Sequence, residues 1–380
     1  MNTAPGGPGP VARRPMGHLP VLDGLRGAAI ALVFCVHLYS PVFSGGSSGV
    51  DLFFVLSGFL ITKLALEEAD RSGGLSRSQF YLRRLFRIFP ALMAMLAFLL
   101  VASFTYMNDI GGSMRREVLL AAASIGNLWP VFYGFEPREV LGHTWSLGIE
   151  EQFYLLWPLI LCLVPISFVA PRRFAKWVAA VALASVLIGR LIVVGLLDYP
   201  HWKAIPFLDF DGLALGCILA LVLHSDDAGR WRRVPQWLIA VAVALVAVDL
   251  FGARAYLDRD VYDLRSLVLR GCFFVVLAGM VVAPGVRLGS VLRIAPLQWL
   301  GRLSYSLYLW HVPVFAMFSQ ERNPDSSRPL LVALKVSCAV GASLLSYFLI
   351  EQPAIRYGRR LRERHRVAPA SAAVPGGDSA

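Results

Sequence analysis

Ten windows of roughly 18 to 22 mostly apolar residues recur along this chain, centred near residues 32, 57, 97, 154, 186, 213, 244, 275, 311 and 340. At a helical rise of 1.5 Å per residue, each is long enough to cross a hydrocarbon core of about 30 Å. A lipid core offers the backbone no water, so apolar spans of this kind must satisfy their own N–H and C=O groups as helices. The expected fold class is therefore an all-α integral membrane protein with about ten transmembrane helices. Only 16% of the residues are charged, against about 25% in soluble domains.

The placement of charge orients those helices. Of the 36 Lys and Arg residues, 22 fall in the two tails and the connections on one side, 9 fall on the other side, and 5 lie within windows. Positive charge accumulates on the cytoplasmic side, so both termini are expected there, in a multi-pass protein of the plasma or inner membrane. The net charge of +11 is then topological and does not imply nucleic acid. Residues 1–18 read as a disordered tail rich in Pro and Gly, residues 19–357 as one transmembrane domain, and residues 358–380 as a basic, then disordered, tail. No cleavable leader is expected, because the first apolar stretch begins at Val21 and carries Arg26. The stretch "EVLLAAASIGNLWPVFYGF" (117–135) is apolar, but counting it as a span would invert the charge bias downstream. It reads as re-entrant or interfacial. The five cysteines lie in apolar stretches without CxxC spacing, which argues against a disulfide framework or a zinc site.

Ionisable groups at membrane depth are costly and mark function. In "LDGLRGAAIALVFCVHL" (22–38), Arg26 and His37 stand eleven residues apart. On a helix that puts them on one face and about 16 Å apart along the axis. The second window, "GVDLFFVLSGFLITKL" (49–64), has Asp51 at its mouth and Ser57-Gly58 in its middle. The glycine there is either a packing notch or a place where a ligand comes close. In "YLRRLFRIFP" (81–90), Arg83 and Arg87 are i,i+4 neighbours suited to phosphate, although such runs also anchor helices against lipid head groups. The stretch "HTWSLGIEEQFYLLWP" (143–158) gathers His143, Glu150 and Glu151. His143 and Glu150 would share a helix face there, and a carboxylate beside a histidine is the arrangement of a general base. Alternatively, the two glutamates are charges in a helical first turn. "LGRLSYSLYLWHVPV" (300–314) carries many hydroxyls and His311, and "IEQPAIRYGRR" (350–360) reads as a helix end followed by basic anchoring. The spacing of the histidines and carboxylates gives no i,i+4 metal pair, and no metal is expected.

Taken together and in order, "LDGLRGAAIALVFCVHL", "GVDLFFVLSGFLI", "RRLFRIFP", "HTWSLGIEEQFYLLWP", "SYSLYLWHVP" and "IEQP" resemble acyltransferase family 3. These are bacterial multi-pass membrane proteins that acylate hydroxyls, mostly on sugars. The resemblance covers roughly residues 20 to 357. It implies a cytoplasmic acyl-CoA donor, most often acetyl-CoA, as co-substrate with no bound cofactor. The partners it implies are a sugar-containing acceptor and the membrane lipids. It marks Arg26 and His37 as the functional pair, with Arg26 holding a phosphate or the pantetheine of the donor and His37 acting as general base. Glu150 and Glu151 are placed with His37 as catalytic, and Asp23, Ser57, Arg83 and Arg84 with Arg26 on the donor. Asp51, His143, Tyr308 and His311 are placed on the acceptor. Glu150 is expected to orient His37, and a covalent acyl-histidine remains the alternative to direct transfer. Longer relatives carry a soluble esterase-like domain after the last helices, which is not expected in this chain. The acceptor reads as a cell-surface glycan or a glycosylated natural product such as a macrolide. The excess of arginine over lysine fits a GC-rich genome and the second option. A transporter that uses Arg26 and His37 for ion coupling, and a scaffolding membrane protein, are the readings from other classes.

Overall fold

The computed structural model describes residues 19–39, 42, 45–133, 140–164, 170–190, 210–225, 234–252, 259–283 and 286–367. The expected tail 1–18 and the last thirteen residues of the C-terminal tail lie outside them. Among the described residues all regular structure is helical. Six helices are long and apolar enough to cross a membrane: Pro20–Leu38 (α1), Ser48–Ser72 (α2), Arg77–Ala102 (α3), Thr144–Leu163 (α6), Arg265–Val282, and Arg328–Arg364. Helices also underlie the remaining windows: Pro171–Arg190 (α7), Phe210–His224 (α8), Gln236–Gly252 (α9) and Ala295–Met317 (α12). The last of these has the length of a span, but its serines, tyrosines, Arg302 and His311 lower its apolarity.

Of the stretch 117–135, the described residues 117–133 do not form one span, and 134–135 lie outside the described residues. Those described divide among the helix Gly111–Ala122 (α4), a 3-10 turn at Gly126–Leu128 and the five-residue helix Trp129–Tyr133 (α5). Between α4 and the turn the chain passes through Ser124 at φ 57°, a left-handed conformation unusual for a residue with a Cβ. Its carbonyl accepts a 2.9 Å bond from Gln152 of α6.

The sequence reading of "IEQP" as a helix end is corrected. After Arg259–Val282 (α10) and the short Arg287–Leu292 (α11), Arg328–Ser346 (α13) does not stop at Pro353. It passes through a π-helical turn at Tyr347–Glu351 and continues as Gln352–Val367 (α14). Proline suits the first turn after such a break, where its missing N–H is not needed. The wider turn rotates Glu351 inward, where it is buried and accepts a 2.8 Å bond from Ser306 of α12.

Glycines set the closest approaches. A Cβ on Gly301 of α12 would lie 1.8 Å from the Asp23 carbonyl oxygen, and one on Gly27 of α1 would lie 2.1 Å from that of Leu297. The two backbones therefore touch, and α1 runs parallel to α12, Asp23 beside Gly301 and Phe34 beside Phe315. A second approach joins α2 to α8, where a Cβ on Gly58 would meet the Leu213 carbonyl oxygen at 1.9 Å. These contacts follow the small-residue logic of membrane helices, in which close packing replaces the hydrophobic effect as the driving force.

Candidate active site

The parallel contact of α1 with α12 places two pairs of side chains. Near the N-terminal end, Arg26 donates to Ser304 at 3.2 Å while its Nε has no partner. Near the C-terminal end, His37 and His311 meet with ring centroids 5.0 Å apart. His37 is exposed, and His311 is completely buried.

Between these pairs lies a partly open cavity. Arg26, Arg84, Arg87, Ser57, Glu150 and Tyr154 line it together with Phe53, Ser146, Tyr305 and Tyr308, and Tyr308 is the lining residue next to the histidines. The four ionisable Arg and Glu side chains on the wall are three guanidiniums and one carboxylate, so the wall favours an anion. Glu150 is held in place by bonds from Ser57 at 2.9 Å and the Tyr154 hydroxyl at 3.1 Å. The Arg84 guanidinium lies 4.6 Å from the centroid of the Tyr154 ring. Tyr308 marks the boundary with the histidine cluster. Its hydroxyl donates to the His143 carbonyl at 2.8 Å and lies 2.5 Å from Ser146 Oγ. The buried His143 ring stands 5.4 Å from the rings of both Tyr308 and His311.

The other expected site residues divide. Arg26, Ser57, Arg84, Glu150 and Tyr308 share the cavity wall. His143 and His311 lie just beyond Tyr308, and His37 lies beyond His311. Glu150 does not touch His37. A backbone carbonyl orients that ring instead, that of Val33 at 2.8 Å from Nδ1. Since a carbonyl can only accept, Nδ1 carries the proton and Nε2 keeps its lone pair. Arg83 pairs with Glu68 and is not among the residues lining the cavity. Glu151 accepts from Ser124, and with Gln152 it docks the broken 111–133 segment against α6. Asp51 pairs at 2.7 Å with Arg270, which also holds Asp211. Asp23 sits on the first turn of α1, outside the cavity lining. Gly58 is the packing notch for α8, and Ser57 donates to Glu150.

The cavity wall also holds Arg87, which the sequence paired with Arg83 for phosphate without placing it on the donor, and Tyr154, Ser304 and Tyr305, which sequence reasoning did not place at the site. Arg87 stands three residues after Arg84, one helical turn away on the same face, and that spacing was the available signal. Among the described residues, no group of three His, Cys, Asp or Glu side chains is arranged to hold a metal.

Comparison with known proteins decides the family, because a model described as an acyltransferase domain matches residues 19–350. The chain belongs to this acyltransferase family. It is a multi-pass membrane protein, as its apolar helices and its family agree. Similar family members include the O-acetyltransferase OatA of Staphylococcus aureus, 29% identical over 359 residues, which are 90% of this chain and 58% of that protein. The peptidoglycan O-acetyltransferase OatA of Listeria monocytogenes is 29% identical over 358 residues, 90% of this chain and 56% of that protein. The putative peptidoglycan O-acetyltransferase YrhL of Bacillus subtilis is 30% identical over 369 residues, 92% and 57% respectively. The chain thus spans less than two thirds of the length of these relatives. No solved structure matches it.

Proposed function

We propose that this chain is a membrane O-acyltransferase that moves an acyl group, in the simplest case acetyl, from acyl-CoA to a sugar hydroxyl of a cell-surface glycan. The observation that carries the reading is the cavity between Arg26 and Tyr308. Guanidiniums at one end suit the phosphates of a CoA, and a histidine cluster stands at the other end, where the thioester would lie. The relatives' names support a glycan acceptor, since two of them are named for peptidoglycan.

In this reading the protein has ten spans and both termini in the cytoplasm, supported by a helix under every apolar window and by the Lys/Arg bias. The Arg26 end then faces the compartment that holds acyl-CoA. Arg26, Arg84 and Arg87 grip the phosphates through charge-assisted bonds, while Glu150, braced by Ser57 and Tyr154, sets the position of Arg26 and Arg84. The pantetheine arm runs along Phe53 towards Tyr308. At the far end, His37 Nε2 takes the proton of the acceptor hydroxyl as its oxygen attacks the thioester carbonyl. The Val33 carbonyl keeps the ring in the tautomer that this step needs.

The test uses protein reconstituted in lipid nanodiscs with acetyl-CoA and a panel of peptidoglycan fragments, other glycans and glycosylated macrolides. Free CoA and the mass of the acceptor are followed together. One added acetyl group on a glycan supports the reading, whereas acetylation of the macrolide alone moves the acceptor to natural products. A protein that consumes no acyl-CoA with any acceptor, yet moves solute across vesicles, is a transporter.

A further inference from the structure

His311 Nε2 has no role in the reaction described above. His311 is completely buried. Its Nδ1 lies 2.8 Å from the Tyr308 carbonyl oxygen and 3.1 Å from that of Leu307. Both are acceptors, so Nδ1 carries the proton and the lone pair of the neutral ring is on Nε2. That Nε2 is buried and has no hydrogen-bond partner. An acceptor removed from water and left empty is costly, and such a group in a folded protein asks for an explanation.

Its surroundings supply one. The His311 ring lies between the exposed His37 ring at 5.0 Å and the Tyr308 ring at 5.6 Å, the latter on the wall of the cavity. Phe34 and Phe315, with centroids 6.3 Å and 5.9 Å from that of His311, shield it. His37 is fixed in the same tautomer by the Val33 carbonyl. Two imidazoles that both present an unprotonated Nε2 cannot hydrogen-bond to each other at rest. Once one of them takes a proton at Nε2, it becomes a donor, while the other keeps an acceptor.

We propose that His311 is a second catalytic histidine that receives the proton from His37 and delivers it to the departing sulfur. The proposal rests on the acyl-transfer reading. As the acceptor oxygen forms its bond to the thioester carbonyl carbon, the hydroxyl proton passes to His37 Nε2. The carbon–sulfur bond breaks with its electron pair going to sulfur. The proton moves from His37 Nε2 to His311 Nε2 and from there to the thiolate at the Tyr308 end of the cavity. Both rings return to the resting tautomer, and ester and thiol are the only products.

The test compares wild type, His311→Phe, His311→Gln, His37→Ala and the double variant His37→Ala/His311→Phe in nanodiscs. It measures acetyl-CoA affinity, unfolding midpoint and turnover. His311→Phe keeps a ring of similar size and removes the nitrogens. The expected result is a fall in kcat of about 100-fold or more, in the range of a lost acid–base group, with donor affinity unchanged. The double variant is expected to be no slower than His37→Ala alone, since both residues serve one proton path. A packing role would instead lower the midpoint and add to the loss from His37→Ala. If His311→Phe lowers the midpoint, His311→Gln is judged by the same criteria. A folded variant within about threefold of the wild-type kcat, far below the loss of an acid–base group, overturns the relay, as does an additive double variant. Wild type that consumes no acetyl-CoA overturns the acyl-transfer reading as well, and that outcome is distinct because it needs no variant.

Discussion

His37 and His311 meet edge to face, with centroids 5.0 Å apart and planes at 76°, and each is pinned through Nδ1 to a carbonyl of its own helix. The pairing depends on the register of α1 against α12. The same register, read towards the N-termini, sets Arg26 beside Ser304. One helix contact therefore positions both ends of the candidate site.

That register rests on Gly27 and Gly301. Replacing Gly301 with Ala forces a methyl against the Asp23 carbonyl, where the nearest atom is backbone and cannot swing aside. Overpacking of this kind costs about 1–3 kcal/mol. Gly301→Ala is expected to lower the unfolding midpoint in detergent and to reduce turnover, because Arg26 and His37 both move relative to α12. Gly341→Ala is the control, since its Cβ would meet nothing within 4 Å. Equal midpoints for the two variants would show that the α1–α12 contact is looser than described.

The arginines of α3 are predicted to separate by function. Arg84 lines the cavity, whereas Arg83 neutralises Glu68, a largely buried carboxylate that also accepts the Ser76 N–H at 3.2 Å. Arg84→Ala is expected to weaken CoA binding roughly 10- to 100-fold, the worth of a hydrogen bond to a charged group, at nearly unchanged stability. Arg83→Ala is expected to cost about 1–3 kcal/mol of stability by stranding Glu68, with CoA affinity retained in the folded fraction. Calorimetric titration with CoA beside thermal melts decides it, and the opposite pattern would place Arg83 on the donor.

The spans were legible because a hydrocarbon environment demands long apolar windows, and that demand is written locally. Arg26, His37, Ser57 and Glu150 were legible because an ionisable or polar group on an apolar helix is conspicuous, whereas Arg84 came only from the family resemblance. Partners were not. Nothing local distinguishes Arg83 from Arg84, and only the packing of α3 against α2 and α6 sends one to Glu68 and the other to Tyr154. Glu150 was expected beside His37 because both looked catalytic. Helical rotation fixes a direction within α6, but it does not say which neighbour stands there. Glu351 was missed for a different reason. A proline two residues later normally signals a helix end, and a π turn that carries a helix through it leaves no pattern in the sequence.

Asp51 offers a sharper case of the same limit. It was expected on the acceptor, and in the structure Arg270 joins it to Asp211, tying α2, α8 and α10 together. Removing Arg270 leaves two little-exposed carboxylates facing each other, and breaking a buried pair from one side costs about 3–5 kcal/mol. Arg270→Met is expected to lose that much stability. Asp51→Asn keeps an acceptor for Arg270 and is expected to leave the KM for the glycan unchanged. A large rise in that KM with an unaltered melt would return Asp51 to the acceptor site.

Outside the spans, Asp109 takes two 2.8 Å contacts from the Arg322 guanidinium, joining the chain after α3 to the chain after α12. The hydrogen bond from Arg322 holds the Asp109 carboxyl below its usual range. A carboxyl depressed in the folded state contributes stability that is fully present above its unfolded pKa of about 3.9. That stability is lost as the pH falls through the lower folded value. Asp109 is 60% exposed, so water and salt screen the pair and its worth is at most about 1 kcal/mol. The difference in unfolding midpoint between wild type and Asp109→Asn is therefore expected to be small and constant from about pH 8 to pH 5, to shrink below about pH 4, and to fall with added salt at neutral pH. A difference that persists undiminished at pH 2 would mean that Asp109 acts through its shape and neutral hydrogen bonds, and that its charge contributes nothing to holding these two segments together.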